Sequence, residues 1–190
     1  RLCRSSLLVE DTIRSQKSHH NWILFRIFAP MITHNSKGYC AIGVFRGKTH
    51  HNVGTLWRSA YILGASYIFT IDGKYKKQSS DVMKTWSRIP LFNYDDFDHF
   101  MKTIPHDCRV IGVELDDRAE MLHEFEHPKR AIYLLGAEDT GLPEFVLDRC
   151  HMLIKLPGNN SLNVGVTGSI VLHDRCSKIP TDFPAYHKEG

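Results

Sequence analysis

The 190-residue chain lacks any apolar run approaching the roughly 20 residues that a membrane-spanning helix needs. It also lacks a surplus of one charge. Lys and Arg number 24 against 21 Asp and Glu, a formal charge of +3. That balance neither demands nor forbids a nucleic-acid partner, and taken alone it argues weakly against one. Cysteine is sparse: Cys3, Cys40, Cys108, Cys150 and Cys176 are widely spaced, odd in number and contain no CxxC. A secreted disulfide framework is denser and even, so these are read as reduced thiols in a cytoplasmic protein. Asn159-Asn160-Ser161 matches a glycosylation sequon, but nothing else points to secretion. Neither GxSxG nor GxGxxG occurs. What is present is ordinary globular composition, 42% hydrophobic and 24% charged, which excludes a disordered, collagen-like or mucin-like chain.

Residues 1–38 show no clean period and are read as an extension, with Met31 as a plausible start and 1–30 as a possible leader. From Tyr39 onward, strand-like and helix-like segments alternate. Strands are expected at Cys40–Phe45, Ser66–Ile71, Leu91–Tyr94, Cys108–Glu114, Ala131–Leu135 and Met152–Leu156. Helices are expected at 52–64, 79–88, Asp95–Lys102, Arg118–Glu126, Pro143–Cys150 and Asn163–Lys178. Residues 179–190 carry prolines and read as a tail. Such alternation predicts an α/β domain over 39–178, a mostly parallel sheet with helices on both faces. Ligands of such sheets bind beyond the carboxyl ends of the strands.

Two familiar patterns fall short. Gly43-Val44-Phe45-Arg46-Gly47-Lys48-Thr49 has three residues between the glycines, where a phosphate loop needs four. His123-Glu124-Phe125-Glu126-His127 satisfies HExxH, which on a helix holds zinc with the glutamate as base. Pro128 breaks that segment at once and no third ligand follows at a recognised spacing. A zinc hydrolase is therefore kept only as a remote alternative, and no metal is implied.

Three other segments fall in order. Asn52-Val53-Gly54-Thr55-Leu56-Trp57-Arg58 is an N-x-G-x-x-x-R string in which Asn52 suits a helix N-cap. Leu135-Gly136-Ala137-Glu138-Asp139-Thr140-Gly141-Leu142-Pro143 joins a strand to a helix, with glycines flanking an acid where a ligand can approach closely. Leu156-Pro157-Gly158-Asn159-Asn160-Ser161-Leu162-Asn163-Val164 leads from a strand through a polar loop into a long helix that Ser161 or Asn163 can cap. Each string alone is compatible with an ordinary turn or cap.

Taken in register, N-x-G-x-x-x-R, G-x-E-x-x-G and P-x-x-x-S-L-N-V resemble the three motifs of the SpoU/TrmH family of RNA ribose 2′-O-methyltransferases, in the SPOUT superfamily. The resemblance covers about Tyr39 to Lys178. It implies a C-terminal trefoil knot, which connectivity rules alone disfavour. It further implies S-adenosylmethionine as cofactor, S-adenosylhomocysteine as product and a homodimer with a composite site. By the family's pattern Val113, Glu114, Leu135, Gly136, Leu156, Ser161 and Leu162 line the cofactor pocket. Arg58 matches the catalytic arginine, Asn52 the first-motif asparagine, Glu138 the second-motif acid, and Ser161 and Asn163 the third-motif polar pair.

The chemistry suits these residue types. A ribose hydroxyl is a weak nucleophile that must lose its proton as it attacks. A guanidinium, with a pKa above roughly 12, serves better to stabilise the forming alkoxide or hold a phosphate than to act as base. Glu138 is expected to organise its loop, since a carboxylate beside phosphates repels RNA. Arg58, Lys74, Lys76 and Lys77 are the candidate RNA contacts, with transfer RNA slightly favoured over ribosomal RNA. A degenerate relative that binds RNA or cofactor without catalysis is the alternative of a different class. Gly165, Thr167, Gly168 and Ser169 depart from many relatives but stay small, and His173-Asp174-Arg175 stands where an aromatic and an acid are common.

Overall fold

A computed structural model of the chain describes residues 38–73, 75, 84–181 and 183. Residues 1–37, the basic positions Lys74, Lys76 and Lys77, and most of the tail lie outside the described residues. Among the described residues seven strands form one sheet: β1 (Tyr39–Phe45), β2 (Tyr67–Ile71), β3 (Leu91–Tyr94), β4 (Arg109–Val113), β5 (Glu120–Met121), β6 (Arg130–Leu135) and β7 (Met152–Lys155). Their order is β3-β2-β1-β6-β4-β7-β5, and every pairing is parallel. Among the described residues four α-helices accompany them: α1 (His50–Ile62), α2 (Phe97–Thr103), α3 (Glu144–Leu147) and α4 (Val164–Lys178). A single 3₁₀ turn, Thr85–Ser87, stands where the sequence suggests the end of a helix over 79–88.

Alternate residues of the central strands feed two cores. Cys40, Ile42 and Val44 of β1 and Tyr133 and Leu135 of β6 face Val53, Leu56, Trp57 and Ala60 of α1 and Val164, Val171 and Leu172 of α4. Ala41 and Phe45 with Ile132 and Leu134 face Phe97 and Phe100 of α2 and Val146 and Leu147 of α3. A sheet covered on both faces explains why its strands read as short continuous apolar runs.

The small residues of α4 have a packing role. A Cβ on Gly168 would come within 3.2 Å of Ile42 and closer still to Leu56, and one on Gly165 would lie 3.1 Å from Thr55. The Ser169 hydroxyl donates to that of Ser59 at 2.7 Å across the same seam. Two glycines weaken an isolated helix by about 1 kcal/mol each, and here they let α4 lie directly on α1.

The expected helix over Arg118–Glu126 is not formed. Its place is taken by the two-residue strand β5 and a turn, with β5 pairing Glu120 to Ile154 and Met121 to Lys155. Ala119, Leu122 and Phe125 recur at helical spacing but are buried from this turn. The Leu122 amide donates to the Lys155 carbonyl at 2.9 Å, so the edge of β7 captures backbone that a helix would have used internally. His123 and His127 consequently do not share a helix face. His123 is exposed, whereas both ring nitrogens of buried His127 are engaged, Nδ1 with the Tyr133 hydroxyl at 2.6 Å and Nε2 with Asp174 at 2.8 Å. A neutral ring with its proton on Nε2 satisfies both bonds. Among the described residues no group of three metal-ligating side chains converges, and no helix is long and apolar enough to cross a membrane.

Candidate active site

A cavity of about 280 Å³ opens at the carboxyl ends of β4, β6 and β7. The seven positions assigned above to cofactor binding all line it: Val113, Glu114, Leu135, Gly136, Leu156, Ser161 and Leu162. Three loops build its wall, those following β4, β6 and β7. The loop after β6 turns back on itself, with the Gly141 amide donating to the Ala137 carbonyl at 3.0 Å. Gly141 adopts φ +62, and a Cβ there would strike the Glu114 carboxylate. Glu114 fastens this loop: Oε2 accepts from the Leu142 amide at 2.7 Å and Oε1 from the Leu115 amide at 3.0 Å. Glu114 is thus a brace of the cavity wall as well as part of its lining.

The first- and third-motif asparagines form a chain of hydrogen bonds with the second-motif acid. Asn163 Nδ2 donates to Asn52 Oδ1 at 2.9 Å, and Asn52 Nδ2 donates to Glu138 Oε1 at 2.5 Å. Asn163 Oδ1 caps α4 by accepting from the Gly165 and Val166 amides. Asn52 is not the cap of α1, contrary to expectation. The helix starts at His50 with Thr49 as its N-cap, and Asn52 lies within the first turn with its side chain directed at the site. Glu138 is thereby tied to the first motif through Asn52. Both polar ends of Asn163 are occupied, so it holds the loop, whereas the Ser161 hydroxyl has no partner among the described residues and lines the cavity.

Arg58 is not brought to this cavity. It lies on the exposed side of α1, beside Thr55 and Ile62. On the neighbouring helix Val166 and Ile170 are exposed, as is Leu162 at the cavity rim.

Residues beyond the motifs complete the wall. Leu115, Asp139, Thr140, Lys155 and Thr167 also line the cavity. Lys48 reaches across from the β1–α1 loop to Asp139 at 2.5 Å and holds that carboxyl below the usual carboxylate range. Its only sequence signal was the near-miss phosphate loop. Lys155 donates to the Asp116 carbonyl at 2.9 Å. Glu114, Glu138 and Asp139 give the cavity an acidic border, and Leu115, Leu135, Leu156 and Leu162 give it apolar walls. Apolar walls suit the faces of a flat heteroaromatic ring and carboxylates suit a cationic centre, both of which S-adenosylmethionine possesses.

The departures at 173–175 serve the fold. Arg175 is buried and donates to the Pro128 carbonyl at 2.7 Å, the Lys129 carbonyl at 2.8 Å and the Tyr133 hydroxyl at 3.3 Å. Asp174 bridges His127 and Lys178, each at 2.8 Å. Burial pushes the His127 pKa below the ordinary histidine value, against the pull of Asp174.

The SpoU rRNA Methylase family matches residues 40–173 of the chain. A 23S rRNA (guanosine-2′-O-)-methyltransferase, RlmB of Acinetobacter baylyi, is 24% identical over 139 residues, covering 66% of this chain and 54% of that protein. A tRNA (guanosine(18)-2′-O)-methyltransferase of Saccharomyces cerevisiae is 27% identical over 132 residues, covering 64% of this chain and 9% of the yeast protein. The chain thus spans about half the length, or less, of the curated relatives it matches. In fold it is similar to an AdoMet-bound rRNA methyltransferase from Sinorhizobium meliloti, with a TM-score of 0.63 at 23% identity, covering 76% of this chain and 58% of the other.

Proposed function

The chain belongs to the SpoU rRNA Methylase family, and from that membership we propose that it is an S-adenosylmethionine-dependent RNA methyltransferase acting on a ribose 2′-hydroxyl. The observation that carries this reading is the cavity at the ends of β4, β6 and β7. It is walled by the second- and third-motif loops, which the Asn163–Asn52–Glu138 chain ties to the first motif. The two loops form part of a trefoil knot in this reading.

When bound, S-adenosylmethionine supplies a methyl group made electrophilic by its sulfonium. Leu115, Leu135, Leu156 and Leu162 would supply apolar contact for the bound cofactor, and the carboxylates at the border would favour its positive charge. Ser161 offers a free hydroxyl to the incoming ligand. Glu114, Asn52, Glu138 and Asn163 keep the loops fixed, so the site needs little reorganisation as the reaction proceeds. Arg58 stabilises the alkoxide that forms on the ribose and holds an adjacent phosphate. Because it lies outside the cavity of its own chain, it acts in a homodimer, from the second copy. The exposed Ile62, Leu162, Val166 and Ile170 support that assembly, since they surround the α1–α4 seam on which Arg58 sits.

Substrates are structured RNAs of the transfer or ribosomal class, both of which occur in the relatives' names. The test is methyl transfer from S-adenosylmethionine to total RNA by the parent, Arg58→Ala and Gly136→Ala chains. Each variant alone is expected to be inactive, and mixed subunits are expected to regain activity because one hybrid site keeps both an intact cavity and an intact arginine. Full activity of Arg58→Ala alone would refute the arginine's role. Cofactor binding by the parent without transfer would favour a binding module instead.

A further inference from the structure

The helix that follows the cavity loop exposes a large aromatic side chain. Within α3, Val146 and Leu147 are buried and complete the core, whereas Phe145 is 51% exposed. Its ring is held edge-on against two buried phenylalanines, 6.2 Å from Phe45 at 73° and 6.3 Å from Phe97 at 78°. Two guanidinium groups lie over the buried rings that hold it. Arg46 lies 5.0 Å over the Phe45 ring and Arg149 lies 4.9 Å over the Phe97 ring. This cluster adjoins the cavity along two chain segments. Phe145 follows Gly141-Leu142-Pro143, and the loop after Phe45 carries Lys48 to Asp139 on the cavity wall.

We propose that Phe145 is a stacking platform for an unpaired RNA base next to the nucleotide being methylated. This inference rests on the RNA-directed reading given above. Single-stranded bases are recognised by stacking on aromatic rings and guanidinium planes, which is the combination the cluster presents. Charge alone would not recruit RNA here. Arg46 is paired with Asp72 at 2.7 Å, Arg149 with Asp98 at 2.5 Å and Lys48 with Asp139 at 2.5 Å. These pairs are exposed and weak, so a phosphate can displace the carboxylates without much gain. The base, more than the backbone, must therefore supply the affinity at this point. A rigid ring with its orientation already fixed by Phe45 and Phe97 does so at little entropic cost.

The test measures binding of the full chain to a short labelled oligoadenylate and to an abasic strand of equal length, by fluorescence anisotropy. Phe145→Ala is expected to weaken oligoadenylate binding roughly 5- to 100-fold, the range for stacking on one aromatic side chain. The abasic strand and the salt dependence are expected to be unchanged, and Phe145→Trp to restore or exceed the parent affinity. Calorimetry with S-adenosylmethionine is expected to give the same affinity for parent and variant, because Phe145 lies outside the cavity. Unchanged oligoadenylate binding, or equal loss on the abasic strand, would overturn the proposal. So would loss of cofactor binding, which would make the ring a prop for the cavity loop. Dissociation of a dimer by Phe145→Ala in sedimentation would overturn it as well, by making the ring a subunit contact. Failure of the parent to bind any RNA would overturn both this proposal and the RNA-directed reading, whereas the other outcomes leave that reading intact.

Discussion

Replacing Gly136 by alanine tests whether the second-motif loop is the wall of a cofactor site. A Cβ at this position would lie 2.3 Å from the Gly141 carbonyl carbon, 2.5 Å from the Leu142 nitrogen and 2.6 Å from the Gly141 Cα. All three are backbone atoms, so no side chain can rotate away. Carbon atoms pack at about 3.5 Å or more, which requires the returning half of the loop to move by about 1 Å. Such a shift breaks the bond from the Leu142 amide to Glu114 and that from the Gly141 amide to Ala137. A bond to a carboxylate contributes about 1.5–3 kcal/mol and a neutral one about 1 kcal/mol, so the total is about 2.5–4 kcal/mol. For a domain of this size each kcal/mol lowers Tm by about 2–4 °C, giving a fall of about 5–15 °C by circular dichroism. If the loss is confined to the loop, the sheet stays folded and the deficit appears in binding. Tenfold per 1.4 kcal/mol then gives a roughly 100-fold loss of S-adenosylmethionine affinity by calorimetry. Near-parental Tm and affinity would refute the reasoning.

The contrasting substitution is Gly54→Ala within α1, where among the described residues a Cβ meets only the Tyr75 hydroxyl, at an ordinary 3.6 Å; denaturant titration should show a gain of about 0.5–1 kcal/mol, and a loss would contradict the open geometry. Asn52→Asp keeps the acceptor for Asn163 but turns the donor facing Glu138 into a carboxylate. It should cost about 1.5–3 kcal/mol at neutral pH and less near pH 5, where a shared proton restores the bond; a cost independent of pH would refute the assigned orientation of the amide. His127 titrates below its unfolded value, so the unfolded chain takes up its proton first as pH falls. Stability should drop from about pH 7.5 to 5.5 by at most about 1.4 kcal/mol per unit, and His127→Gln should flatten that slope in urea titrations. Asp174 is pushed up by burial but held lower still by Lys178 and His127, so its contribution is lost only at more acid pH. An unaltered slope in His127→Gln would contradict the buried neutral ring.

The parallel α/β architecture was legible because strands buried on both faces leave short apolar runs, as in Cys40-Ala41-Ile42-Gly43-Val44-Phe45. The helix expected over Arg118–Glu126 failed because Ala119, Leu122 and Phe125 carry a helical period that a buried turn satisfies equally well, and pairing with an edge strand is not written locally. Every position assigned to the cofactor pocket lines one cavity, since two of its three loops are motif segments contiguous in sequence and the third, after β4, begins at Val113 and Glu114. Lys48, Lys155 and Thr167 went unrecognised because each reaches the site only through tertiary contact. The sequence singled out Asn52 but not the bonds it makes, because capping is a local role whereas its bonds span 86 and 111 positions. Arg58 shows the same limit in another form, being placed correctly on α1 while a single chain offers it no cavity.

The most direct measurement follows the destination of the methyl group. The full chain is incubated with S-adenosylmethionine labelled in its methyl carbon and with transfer or ribosomal RNA, and the RNA is then hydrolysed in alkali. Label in alkali-stable dinucleotides is expected, because a methylated 2′-oxygen cannot assist cleavage of the adjoining phosphodiester. Label confined to mononucleotides, or no label from a protein that binds both cofactor and RNA, would contradict ribose methylation.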